Sequence, residues 1–199
     1  MAPGPDGGMS RQQRRFVLLD RDGTINEELV GEYVLKPESL RLIPGAAQGL
    51  QILRELGFGL AVVTNQSPVA RGWITPAQLD EIHEHMKGLL AKGGASVDAI
   101  YACPHDAEDG CECRKPRPGL ALRAAEELGF DPQASFVVGD HTSDLRLRRA
   151  IGAITIHLRT GHGAEEAANG ATEYADHEAA DLLEAAKTIR GLVASEGAG

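Results

Sequence analysis

The apolar run Phe16–Leu19 ends on Asp20, and Asp22, Gly23 and Thr24 follow at once. So short a run, stopped by turn chemistry, predicts a buried strand. It delivers Asp20 to the strand's carboxyl end, the edge of an open α/β sheet where ligands bind. Asp22 stands two residues on, so an extended chain points both carboxylates the same way. Such a pair can bind a hard divalent cation while one carboxylate attacks an electrophile and the other handles a proton. The same residues also suit an ordinary acidic turn, and Asp22–Gly23 is compatible with a hairpin. The rest of the chain decides.

The pattern recurs. Phe58–Val63 runs into Thr64, Val97–Ala102 into Cys103, and Ala134–Val138 into Gly139 and Asp140, while Ala153–His157 makes a fifth strand. Helical stretches lie between them. Ala46–Leu56 carries Leu50, Leu53 and Leu56 on one stripe; Thr75 and Pro76 open a helix that runs to Lys92; Pro118 precedes Gly119–Leu128. Another helix is expected from Leu145 and a last one over Glu178–Leu192. This alternation predicts an α/β protein built on a single doubly wound parallel sheet. The segment 25–41, with Glu27, Glu28, Glu32, Tyr33 and Lys36, reads as a flap over the first strand's end, its glutamates facing solvent. Trp73 is expected over the flap or the core. His83 and His85, two apart on one helix, point to different faces and read as surface residues.

The 199 residues, 42% of them hydrophobic and 25% charged, suit one domain with a sizeable core. Residues 1–15 contain no signal-peptide core and are expected to form a disordered leader before a domain over 16–192 and a flexible tail over 193–199. No stretch reaches the length of a membrane span. The net charge of −9 disfavours nucleic acid and anionic membranes as partners. A cytoplasmic protein, monomeric, is the expectation. A phosphate site in so acidic a chain must gather its positive groups locally, and Arg114, Lys115 and Arg117 form the densest cluster. Lysine offers a phosphate a point charge and arginine a planar fork.

All three cysteines fall within one loop. Cys103 and His105 form C-x-H, five residues follow, and Cys111 and Cys113 form C-x-C. Three thiolates and one imidazole are the ligand set of a closed, structural zinc site. Reduced cysteines in a loop, or a nucleic-acid-binding knuckle, are the competing readings; Asp106, Glu108, Asp109 and Glu112 disfavour the knuckle.

At the other strand ends, the Thr64 hydroxyl can hold a phosphoryl oxygen or cap a turn. Asp140 can complete a magnesium site begun by Asp20, and Asp144 can brace that loop or cap the next helix.

Asp20, Asp22, Gly23, Thr24, Thr64, Lys115, Gly139, Asp140 and Asp144, in this order and spacing, resemble the haloacid dehalogenase superfamily of phosphohydrolases over residues 16–190. Within it, Thr64–Ser67, Ala70–Gly72, the Cys-Pro-His of 103–105 and the Cys-x-Cys-Arg-Lys-Pro of 111–116 are similar to D-glycero-D-manno-heptose 1,7-bisphosphate 7-phosphatases. Histidinol-phosphate phosphatases share the zinc loop. The resemblance implies a Rossmann-like domain without a large cap, for which the Asp20–Thr64 and Thr64–Lys115 intervals leave no room. It implies that Asp20 forms an aspartyl-phosphate and that Asp22 first donates and then accepts a proton. Thr64 and Lys115 would stabilise the transferring group. Asp20, Asp140 and the Asp22 carbonyl would hold Mg²⁺, and Cys103, His105, Cys111 and Cys113 would hold Zn²⁺. Asn65, Gln66, Ser67, Arg71 and Arg114 would meet a small phosphorylated sugar. Pro68, where the family has Gly, and His141, where it often has Lys, depart from the pattern. The alternatives are a histidinol-phosphate phosphatase, a non-catalytic zinc-stabilised binding protein and a two-component receiver; the Asp20–Asp22 pair disfavours the last two, and the zinc loop also disfavours the receiver.

Overall fold

A computed structural model of the protein describes residues 14–28 and 33–197. The expected leader up to residue 13, Glu32 of the expected flap and the last two residues of the expected tail lie outside the described residues.

Six parallel strands form one sheet. They are β1 (Phe16–Leu19), β2 (Gly59–Asn65), β3 (Ala99–Cys103), β4 (Phe136–Gly139), β5 (Ile154–Leu158) and β6 (His177–Ala179). Their order is β3-β2-β1-β4-β5-β6. The chain winds outward from β1 through β2 and β3, then returns to the other side of β1 as β4. Leu19 is therefore paired with Val62 on one side and Val138 on the other. Strand order reverses between β1 and β4, and the crevice at such a switch point is where open α/β sheets hold ligands. Asp20 and Asp140 stand on its two sides.

Period-two alternation splits β1 between two cores. Val17 and Leu19 face the layer of α1 (Ala46–Glu55), α2 (Pro76–Lys92) and α6 (Leu182–Glu196). Phe16 and Leu18 face the layer of α3 (Gly119–Leu128) and α4 (Thr142–Ile151). All four side chains are at most 2% exposed, so each contributes about 1.5–3 kcal/mol by leaving water. With both neighbours parallel, β1 has no hairpin partner, and the hairpin reading of Asp22–Gly23 falls.

Local chemistry sets the helix ends. Thr75 and Gln78 form a reciprocal capping box at the start of α2. Pro118 and Gly129, the latter at φ +70°, bracket α3. Three elements differ from expectation. β6 is a short edge strand paired only with β5, so His177 and Glu178 need no apolar pattern. The short α5 (Gly163–Ala168) interrupts the loop after β5. The last helix starts at Leu182, not Glu178, because the Asp181 carboxylate caps it by accepting from Glu184 N at 2.9 Å. It continues to Glu196, whose carboxylate lies 2.7 Å from Arg15. Arg15 also donates to the Ala134 carbonyl at 3.0 Å. Arg15 from the expected leader and Glu196 from the expected tail are thus tied to each other.

Candidate active site

The carboxyl ends of β1, β2 and β4 open into a cavity of about 510 Å³ whose walls include Asp20, Asp22, Thr64, Lys115 and Asp140. Lys115 is 4% exposed. Its Nζ lies 2.9 Å from Asp20 Oδ1 and 2.6 Å from Asp144 Oδ1. The Asn65 amide grips the Lys115 backbone on both sides, accepting from its N–H at 3.0 Å and donating to its carbonyl at 3.2 Å. Asn65 lines the cavity, and this grip fixes the lysine's place in it.

One buried lysine cannot balance Asp20, Asp140 and Asp144, whose carboxylate oxygens lie within 4.8 Å of one another. Burial pushes Asp20 up to about 6, opposed by Lys115 and reinforced by Asp144 and Asp22. Burial, then Asp20 and Asp144, hold Asp140 well above the usual carboxylate range. Burial alone would lower Lys115, but Asp144 and Asp20 outweigh it and hold the ammonium above its ordinary value. Asp144 is committed: it meets Lys115 and accepts from His141 N at 3.2 Å, capping α4. Asp20 and Asp140 keep surplus negative charge at the cavity floor, and a hard dication fits that donor set.

Asp22 lives in the opposite environment. Burial works to raise it, but Arg21, Asn26 and Gln66 more than offset this and hold it below the usual range. Arg21 chelates it, with Nη2 at 2.8 Å and Nε at 3.1 Å from Oδ2. Asn26 Nδ2 and Gln66 Nε2 donate to it at 2.9 Å and 2.8 Å. Gln66, 1% exposed, thus serves Asp22 instead of facing the cavity. On its far side Arg21 meets His83 Nε2 at 3.2 Å. His83 is 7% exposed, so the expected surface residue is buried. Burial first and Arg21 second push it down to about 4, so the neutral ring accepts from the guanidinium.

Gly23 allows Asp20 and Asp140 to share the floor. Its φ is +73°, and a Cβ there would sit 2.3 Å from Asp140 Oδ2. Thr160 Oγ1 donates to the Gly23 carbonyl at 2.6 Å, and His162 N donates to Asp140 Oδ2 at 2.9 Å.

The rim is only partly as expected. Ser67 and Arg114 line the cavity and touch, with Arg114 Nη1 2.9 Å from Ser67 Oγ. Arg71 is not in the cavity wall. It pairs with Asp106 at 2.6 Å and lies over the rings of Tyr33 and Trp73. Trp73 therefore packs edge-on against the flap residue Tyr33. Glu28, expected to face solvent, lines the cavity and lies 3.1 Å from His162 Nε2.

Beside the rim the three sulfurs lie 3.1–3.6 Å apart, and His105 Nδ1 is 3.2 Å from Cys113 and 3.6 Å from Cys103. A tetrahedron with Zn–S bonds near 2.3 Å has edges of about 3.7 Å, so four protein ligands fit one zinc with no open position. Arg114 Nη1 also donates to the His105 carbonyl at 3.1 Å, which ties the cavity rim to this cluster.

The model of the haloacid dehalogenase-like hydrolases matches residues 8–152. The D-glycero-β-D-manno-heptose-1,7-bisphosphate 7-phosphatase of Pasteurella multocida is 37% identical over 90% of this chain and 98% of its own. The enzyme of that name from Escherichia coli K12 is 37% identical over 86% of this chain and 93% of its own. The crystal structure of D,D-heptose 1,7-bisphosphate phosphatase from B. bronchiseptica, complexed with magnesium and phosphate, has a TM-score of 0.82 at 34% identity, covering 89% of this chain and 98% of that one. A doubly wound sheet with its carboxylates at the switch point, matched over most of its length, places the chain among the haloacid dehalogenase-like hydrolases.

Proposed function

We propose that the protein is a magnesium-dependent phosphatase that removes the C7 phosphate of D-glycero-β-D-manno-heptose 1,7-bisphosphate. The observation that carries this reading is the cavity floor, where Asp20 and Asp140 hold surplus negative charge beside a buried lysine. The relatives' shared name supplies the sugar and its anomer.

In this mechanism an Asp20 oxygen forms a bond to phosphorus as the bond to the sugar oxygen breaks, leaving an aspartyl-phosphate. Asp22 gives the departing sugar oxygen a proton, then takes one from the water that frees phosphate. Asp22 is ionised at rest, so the first proton arrives with the phosphate ester, whose second ionisation lies near pH 6. Thr64 and Lys115 steady the transferring group, and Asn65 and Gln66 position Lys115 and Asp22. Mg²⁺ held by Asp20, Asp140 and the Asp22 carbonyl would supply charge neutralisation between nucleophile and phosphate.

Cys103, His105, Cys111 and Cys113 would hold a structural Zn²⁺. Cys111→Ser should then lower bound zinc, read by atomic absorption, together with the melting temperature. A variant with full stability and full zinc would refute the ligand set.

The functional test is phosphate release with Mg²⁺ from both heptose anomers and from L-histidinol phosphate. The β anomer should lead by tenfold or more in kcat/KM. Preference for histidinol phosphate would reject the heptose assignment.

A further inference from the structure

We propose that His83 is a positioning residue for the proton-transfer group Asp22 and acts on it through Arg21. This rests on the phosphatase reading above, not on the identity of the sugar.

His83 sits where an aliphatic residue would pack better. On α2 it shares the core-facing side with Leu79, Ile82, Met86 and Leu90, all buried. A polar ring among them gives up water, a cost that only a hydrogen bond offsets. The bond is to the motif: His83 Nε2 lies 3.2 Å from Arg21 Nη1. Arginine only donates, so Nε2 accepts and the ring proton stands on Nδ1. A leucine at this position would fill the space and leave a buried, charged donor bare.

Asp22 is gripped by Arg21, Asn26 and Gln66, and the three are not equally secured. Asn26 and Gln66 are buried, and each amide also reaches a second acceptor. Asn26 Nδ2 donates to the Glu27 carbonyl at 2.9 Å, and Gln66 Nε2 donates to the Thr64 hydroxyl at 3.0 Å. Arg21 has the longest and most flexible side chain of the three. Its Nε and Nη2 are both spent on Asp22. Among the described residues, Nη1 has His83 as its one side-chain partner. Without that acceptor the guanidinium turns to find another, and the fork that aims Asp22 turns with it.

Asp22 lines the cavity, whereas His83 stands behind Arg21 and outside the cavity wall. His83 therefore touches no substrate. Its effect falls on the step that needs Asp22 within hydrogen-bond reach of the leaving oxygen.

That step can be isolated by varying the leaving group. p-Nitrophenolate departs with little help from an acid, phenolate needs more, and a sugar alkoxide needs most. The value of kcat/KM covers only the steps up to that departure, so later hydrolysis of the aspartyl-phosphate does not enter it. The test compares kcat/KM for p-nitrophenyl phosphate, phenyl phosphate and heptose 1,7-bisphosphate in the wild type, His83→Leu and His83→Gln. In His83→Leu the p-nitrophenyl-to-phenyl ratio should rise about threefold or more and the p-nitrophenyl-to-heptose ratio about tenfold or more, part of the roughly 10²–10⁴-fold that a general acid contributes. A loss of folded protein lowers all three values alike and leaves the ratios unchanged. His83→Gln places an amide oxygen where Nε2 stood and should restore the wild-type ratios. Unchanged ratios in His83→Leu, or ratios in His83→Gln as altered as those in His83→Leu, overturn the proposal. If the wild type cleaves the aryl esters but not heptose bisphosphate, the sugar assignment fails and the aryl ratio decides alone. Where His83→Leu does not fold, nitrogen NMR of the wild type decides: a proton on Nδ1 supports the acceptor role, and a proton on Nε2 overturns it.

Discussion

Asp20→Asn is expected to lower kcat by about 10⁴-fold or more, as loss of a nucleophile does, with the fold intact. Asparagine keeps the shape and the hydrogen-bonding oxygen, so the Arg21 N–H that Asp20 accepts at 2.7 Å keeps a partner. What disappears is the oxygen anion that attacks phosphorus. Circular dichroism should be unchanged, and retained turnover would refute the assignment. The substitution has a second signature in stability. In the metal-free protein Asp20 is pushed up to about 6, whereas an unfolded chain releases that proton near pH 4. The folded state therefore holds the proton more tightly than the unfolded state. Stability from this group is present below about pH 4 and is lost as pH climbs from about 4 to 6. Asn cannot ionise, so the melting temperature of the variant should decline less over that window than that of the wild type. Asp140, raised for the same reasons, keeps part of the decline in both proteins.

Lys115→Met should lower both activity and stability. The side chains are of similar length, so the change removes charge more than volume. Lys115 is the buried cation between Asp20 and Asp144. Removing one partner of a buried ion pair typically costs about 3–5 kcal/mol, because the remaining charge has no compensation. Here two carboxylates are left facing each other. They can escape by taking up protons, so the destabilisation should be larger at pH 8 than at pH 5. Denaturant midpoints at the two pH values would measure it. Loss of a charge aimed at the transferring group should also reduce kcat by about 10²–10³-fold. Equal midpoints for variant and wild type at pH 8 would show that the lysine does not hold the carboxylates together.

The parts of the fold written in local chemistry were legible in the sequence. Phe16–Leu19 reads as a strand because every residue of a central parallel strand is covered on both faces. The bounds of α3 are legible because Pro118 and Gly129 punctuate them. β6 was not, since His177 and Glu178 take their conformation from pairing with β5 and not from their own pattern. In the site, carboxylates at strand ends can be read from spacing, because the strand sets where they emerge. The direction of a long side chain cannot. Arg71 looks available to a substrate, yet it reaches Asp106 and two aromatic rings. Arg21 sits inside the leading motif as if solvated, and only the fold brings Asp22 to one side of it and His83 to the other. His83 misleads for the same reason: its buried face depends on a guanidinium more than sixty residues away in sequence.

The strand order also bears on synthesis of the chain. β1 leaves the ribosome first and gains β2 on one edge early, but its other edge belongs to β4, which emerges far later. Until then the nascent chain carries an unpaired apolar edge, the kind of surface that recruits chaperones or other growing chains. The same delay keeps the unfinished polypeptide chemically silent. Asp20 stands ready from the start, but Lys115 and Asp140 emerge much later, so a product terminated before Asp140 would lack the assembled centre.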